Sequence, residues 1–191
     1  ALLMLGRIAC YRISDVVMGV MSNSFYVDLQ FSKTEVATIT KVYGVIMTLV
    51  GAALGGVLVM RFGTLRILFL GAVLTASTNL LFALLNEVGH DLELLTLIIS
   101  LDNLSAGIAT AAFVTYLSSL TNVAFSATQY ALFSSIMLLM PKLLAGFSGQ
   151  VVEQIGYSSF FVGTSLLGIP VMILIIMVSK RGDALLPQAD K

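Results

Sequence analysis

The chain has 191 residues, of which 58% are hydrophobic and only 10% charged, and its mean hydropathy is +1.02. A soluble domain carries about a quarter charged residues, so this chain lacks the polar side chains to cover a water-exposed surface and reads as an integral membrane protein. Ten basic residues balance ten acidic ones, which argues against a nucleic-acid partner or an acidic interaction tail.

Six apolar stretches reach the roughly 20 residues needed to cross a bilayer. The first, about residues 2–27, carries Arg7 near one end and Arg12 and Asp15 in its interior. Arg12 and Asp15 stand three residues apart, close enough on a helix to pair, while Arg7 can snorkel to the membrane surface. The lone Cys10 excludes an intramolecular disulfide. No cleavable signal peptide is visible, because charges interrupt the run and no small-residue cleavage site follows it.

The second span, about 34–60, opens on FSKTE, where Ser32 and Glu35 have capping-box spacing. Lys41 lies in its interior. Gly44, Thr48, Gly51 and Gly55 recur along one face, and Gly51–Gly55 is a GxxxG that lets helices approach closely. RFGTLR then supplies Gly63 as a stop and turn.

The third span, about 65–86, has no charge between its ends, and NEVGHDLE turns the chain at Gly89. His90, the only histidine, sits there beside Asp91 and Glu93 and reads as a solvated side chain, with a weak metal contact as the alternative. The fourth span, about 94–120, places Asp102 and Asn103 inside IISLDNLSAGIATAAF, followed by the small residues Ala106, Gly107, Thr110 and Ala111.

SATQ gives Ser126 and Gln129 the same capping spacing at the start of the fifth span, about 127–152. Pro141 removes a backbone hydrogen bond in mid-helix, a bend or a passive kink, and Lys142 follows it. QIGYSS breaks the chain at Gly156 before the sixth span, about 158–178, which is again uncharged. Residues 1–181 thus form one six-helix transmembrane domain, and 182–191 a short polar tail expected to be disordered and cytoplasmic. Runs this long and continuous do not alternate as membrane-barrel strands do.

Six spans put both ends on one side. That side collects Arg61, Arg66, Lys180 and Arg181, whereas the opposite loops hold Asp28, Glu35, Glu87, Asp91, Glu93 and Glu153 with Lys33 as their only basic residue. The positive-inside rule places both termini in the cytoplasm.

A lipid-facing charge at the centre of a helix costs about 3 kcal/mol. The charges of the first, second, fourth and fifth spans therefore need a face that avoids lipid. At about 1.5 Å per residue, Lys41 lies roughly 10–12 Å below the outer end of its helix, and Asp102 and Lys142 fall at similar depths. These three, with Asn103, are expected to share one polar layer, with Asp102 orienting Lys41. Such a layer serves either as a solvated pathway or as ion pairs holding helices in register. No phosphate loop, nucleophile elbow or metal-ligand motif is present, so no cofactor, metal site or enzyme activity is expected.

Charges on the first, second, fourth and fifth of six spans resemble one half of a major facilitator superfamily transporter, whose fold is built from two three-helix inverted repeats. GVLVMRFGTLR resembles that family's cytoplasmic-loop signature: Gly56, Arg61 and Gly63 match, but Met60 replaces the aspartate and Arg66 falls one place late. A closer resemblance covers nearly the whole chain. DNLSAGIATAAFVTYLSSLTNVAFSATQYALFSS at 102–135, RISDVVMG near the start and VATITKVYGVIMTLVGAALGG in the second span resemble the AmpG-type muropeptide permeases. Acetyl-CoA transporters are similar relatives.

This resemblance implies helices seven to twelve of a twelve-helix permease, with a missing N-terminal six-helix half. It further implies import of anhydro-muropeptides, sugar-peptides of cell-wall turnover, across the bacterial inner membrane by proton symport. By position it makes Asp15, with Arg12, the candidate for proton coupling, and Lys41, Asp102, Asn103 and, less directly, Lys142 the candidates for the substrate cavity. A six-span structural module is the alternative from another class.

Overall fold

A computed structural model describes the backbone of residues 2–119 and 126–183. Side-chain surroundings are described over the same range except for residues 2–12, Asp15, Ser126, Tyr130, Phe133, Ile136, Met137, Met140 and 178–183. Among the described residues every regular element is helical: α1 (Leu2–Asp28), α2 (Lys33–Thr38), a π-helical segment (Ile39–Gly44), α3 (Val45–Phe62), α4 (Thr64–Val88), α5 (Leu92–Ser119), α6 (Ser126–Ala145), α7 (Ser148–Leu166) and α8 (Gly168–Asp183). Among the described residues four helical stretches are long and apolar enough to cross a bilayer: Lys33–Phe62, Thr64–Val88, Leu92–Ser119 and Ser148–Met177, the last kinked at Gly156. The molecule is an all-α, largely membrane-embedded bundle.

The helix ends follow local chemistry. Ser32 and Glu35 form the expected capping box: the Glu35 amide donates to Ser32 Oγ at 3.2 Å and the Ser32 amide to Glu35 Oε2 at 2.8 Å. Gly63, Gly89 and Gly156 all have positive φ (88°, 89° and 77°), a conformation that side chains disfavour, and each interrupts the helix where the sequence places a break. Two ends were not foreseen. α1 stops on Gln30 at φ 62°, with the Phe31 amide reaching back to Tyr26 O at 3.0 Å, a Schellman closure without glycine. Asp91 caps α5 by accepting the Leu94 amide at 2.9 Å.

The stretch expected as one helix over 127–152 is held by two segments, α6 and the first part of α7, joined at Gly146–Phe147. α6 runs through buried Pro141, so the interruption lies five residues beyond the proline rather than at it. The capping of α6 by Ser126 and the tail from residue 184 lie outside the described residues.

Two apolar clusters fill the bundle. One, rich in aromatic rings, joins Phe25, Tyr26, Phe31, Phe82, Ile98, Ile99 and Phe161 towards the end that carries the acidic loops. The other joins Ile67, Leu68, Ala112, Phe113, Leu117, Val171 and Ile175 towards the end that carries Arg61 and Arg66. Between them lie polar residues from several helices. On α4 these are Thr78 and Asn79, on α5 Asp102, Asn103 and Ser105, on α7 Thr164 and Ser165, and on α1 Ser14.

Glycines set the spacing of α3 and α5. A Cβ on Gly51 would collide with the Leu104 carbonyl oxygen, and one on Gly107 with that of Thr48. A Cβ on Gly55 would lie 2.8 Å from Ile108 Cα. The GxxxG therefore serves close backbone packing.

Candidate functional site

Asp102 and Asn103 are consecutive on α5, so their side chains leave the helix about 100° apart and serve different neighbours. Asp102 accepts a hydrogen bond from Thr78 Oγ1 of α4 at 2.9 Å, and it lies within electrostatic reach of Tyr26 on α1. Asn103 turns to the second helix path. Its Oδ1 accepts from Thr48 Oγ1 at 3.0 Å, its Nδ2 donates to Ile99 O at 2.8 Å, and Gly44 leaves the room its amide occupies. Among the described residues, Asp102 and Asn103 thus meet threonine hydroxyls of α4 and α3.

A second part of the layer is fully buried. Ser14 Oγ donates to Thr164 O at 2.6 Å and accepts from Asn79 Nδ2 at 3.0 Å, while Ser165 Oγ donates to Ala76 O at 2.8 Å. Asn79 is 1% exposed, and its Oδ1 has no hydrogen-bond partner among the described residues. An unsatisfied buried amide oxygen costs about 1–3 kcal/mol, which is tolerable in a structural core only with compensation and is common where function needs a polar group.

Lys41 sits on the π-helical segment Ile39–Gly44. π-turns are wider than α-turns and cluster at functional sites. Lys41 is exposed, and among the described residues it forms no ion pair, so the contact by which Asp102 was expected to orient it is not made. It lines a cavity of about 330 Å³ together with Asn23, Tyr26, Lys33 and Thr40. Tyr26, 5% exposed, lines that cavity and also interacts electrostatically with Asp102. Sequence reading passed over Tyr26, Thr78, Asn79 and Ser14, because hydroxyls and single amides are unremarkable in apolar helices.

The remaining candidates fall apart in space or in description. Lys142 is exposed on the last turn of α6. The side chains of Arg12 and Asp15 lie outside the described residues; their helix is α1, one turn or less from Ser14. Of the loop signature, Arg61 is exposed on the last turn of α3, Gly63 makes the turn, and Gly56 has open space around it. His90 is exposed with its ring edge-on to Phe31 at 4.3 Å, and among the described residues no group of three or more histidine, cysteine, aspartate or glutamate side chains is placed to hold a metal.

The acidic end is tied across helices. Tyr157 OH donates to Asp28 Oδ2 at 2.6 Å, Ser158 Oγ donates to Glu87 Oε1 at 2.6 Å, and Asn86 Nδ2 donates to Ser158 Oγ at 2.8 Å. These bonds join the ends of α1 and α4 to the middle of α7.

The described residues thus place a polar layer between two apolar clusters inside a helical bundle. Residues 3–191 match the Major Facilitator Superfamily. The chain is 32% identical over 171 residues to the putative transporter AmpG 4 of Rickettsia felis and equally so to that of Rickettsia conorii, covering 90% of this chain and 41% of each relative. It is 30% identical over 171 residues to the putative transporter AmpG 1 of Rickettsia bellii. The chain spans about two fifths of the length of these curated relatives. With a match over almost its entire length, it belongs to the major facilitator superfamily, a family of transporters rather than enzymes.

Proposed function

We propose that this chain is the C-terminal six-helix half of a proton-coupled permease that imports anhydro-muropeptides from periplasm to cytoplasm by alternating access. The observation that carries this reading is the similarity to AmpG-named transporters over nine tenths of the chain, joined to the motif resemblance around Asp102 and FSATQ. The polar layer supports it, since a solute crossing at mid-membrane needs hydroxyls, amides and a carboxylate there. In this reading the chain spans the bacterial inner membrane six times with both termini cytoplasmic, and an N-terminal half completes the cavity.

Asp15 takes up and releases the coupling proton, its affinity shifting as Arg12 approaches or withdraws. Asn103 and Lys41 face the sugar-peptide, and Asp102 with Thr78 and Tyr26 fixes the geometry of the layer behind them.

The test is uptake by the full-length protein in proteoliposomes under an imposed pH gradient, with labelled anhydro-muropeptide compared against labelled acetyl-CoA. Accumulation of muropeptide alone is the expected result; accumulation of acetyl-CoA alone replaces the substrate assignment. Asp15→Asn is expected to abolish gradient-driven accumulation while leaving substrate exchange measurable. If Asp15→Asn accumulates substrate as the wild type does, the coupling role is wrong.

A further inference from the structure

The cavity beside the π-helical segment has a feature that the transport reading does not require: among the described residues, both of its charged residues are cations. Lys33 and Lys41 line it with Asn23, Tyr26 and Thr40, and among the described residues no carboxylate contributes to its wall. The two nearest acids in the chain are engaged elsewhere. Asp28 accepts the Tyr157 hydroxyl at 2.6 Å, and Glu35 is held by the Ser32 amide at 2.8 Å in the capping box. Among the described residues neither lysine forms an ion pair.

The backbone accounts for the pairing. Eight residues of regular α-helix overshoot two full turns by about 80°, which would set Lys33 and Lys41 on different faces. The π-helical segment beginning at Ile39 bonds i to i+5 and turns less per residue. That reduces the overshoot and brings Lys41 round to the wall that Lys33 occupies. The two ammonium groups stand on one groove, separated by about 12 Å of helix rise, long flexible stems allowing both to lean inward.

Size limits the occupant. At about 330 Å³ the cavity is at the lower end for small-molecule sites, about 300–1,000 Å³, too small for a whole sugar-peptide and sufficient for one charged terminus with its adjoining unit. We infer that Lys33 and Lys41, with Asn23, form a subsite for a carboxylate group of the cargo. The Asn23 amide is a neutral partner for the adjoining peptide unit, and Tyr26 lines the same cavity. The inference rests on the transport reading for the identity of the cargo, and it is tested apart from transport.

Binding is measured on the full-length protein in nanodiscs, with N-acetylmuramyl dipeptide carrying a free carboxylate and with the same dipeptide fully amidated. The wild type is expected to prefer the free carboxylate by about tenfold, the discrimination a charge-assisted contact supplies. Lys33→Gln and Lys41→Gln are each expected to narrow that preference below about threefold, while Lys33→Arg keeps it. Equal binding of both probes by the wild type overturns the subsite. So does a Lys33→Gln variant that weakens both probes alike, or displacement of the free-carboxylate probe by inorganic phosphate at lower concentration than by acetate. Proteoliposomes that import no muropeptide, alongside an intact carboxylate preference, would overturn the transport reading and leave the subsite standing.

Discussion

At the scale of single residues, Asp102 places a carboxyl group inside the bundle, and Thr78 hydrogen-bonds it from the neighbouring helix. A hydroxyl bonded to a carboxylate contributes about 1.5–3 kcal/mol. Thr78 is 4% exposed, so water cannot readily replace it. Thr78→Val, nearly isosteric, is expected to lower unfolding stability by about 2 kcal/mol, and Thr78→Ser to restore most of that; thermal unfolding of the purified protein in detergent reads both. An unchanged midpoint for Thr78→Val would show that the layer does not depend on this bond. Asp102 itself was legible in the sequence, because an acid in an apolar run has few neutral explanations. Thr78 was not: threonine packs well in any apolar helix, and only the register of α4 against α5 makes it a partner. The same holds for Ser14 and Asn79, whose bond spans 65 positions of chain. The expected companions of Asp102 were chosen by charge and depth, and depth along a helix says nothing about azimuth.

At the scale of elements, the α3–α5 crossing brings two backbones into direct contact, and its glycines differ sharply in what surrounds them. Gly51 and Gly107 face backbone carbonyls that cannot move aside, whereas a methyl group on Gly56, one position beyond the GxxxG, would meet nothing within 4 Å. Gly51→Ala and Gly107→Ala are each expected to destabilise by about 1–3 kcal/mol or more, the cost of overpacking. Gly56→Ala is expected to be neutral or to stabilise by up to about 1 kcal/mol, as alanine outranks glycine in a helix. Urea or thermal unfolding of the three variants in one detergent decides it, and equal effects at Gly51 and Gly56 would dismiss the crossing as the cause. This element was readable in advance because small-residue spacing is a one-dimensional signal. So were the breaks at Gly63, Gly89 and Gly156, where backbone conformation demands glycine. The π-helical segment was not readable, since ITKVYG carries no residue that an α-helix would refuse. The close of α1 on Gln30 escaped notice for a related reason: a residue with a side chain took the position where the pattern favours glycine.

At the scale of the whole molecule, two kinds of fastening divide the bundle. α3 and α5 are joined along their middles by close backbone contact, while α1, α4 and α7 are joined at the acidic end by side-chain bonds and an aromatic cluster in which Phe25 and Phe161 meet edge-on at 4.9 Å. Backbone contact between glycines permits sliding only in steps, whereas exposed side-chain bonds can break and reform at small cost. The side-chain ties at the acidic end are therefore expected to break before the α3–α5 contact does. Tyr157→Phe combined with Ser158→Ala removes Tyr157's donor to Asp28 and Ser158's bonds with Glu87 and Asn86, and leaves the rings in place. Each lost bond weakens local closure by about 1 kcal/mol. Hydrogen–deuterium exchange of the full-length protein is expected to accelerate by about a hundredfold, the sum of the three lost bonds, in segments 84–92 and 153–162, with segments 64–72 and 108–117 at the basic end unchanged. Uniform acceleration would mean that the ties hold the fold as a whole. No acceleration at all would mean that the aromatic cluster alone keeps this end shut, and the opening would then have to begin at the rings.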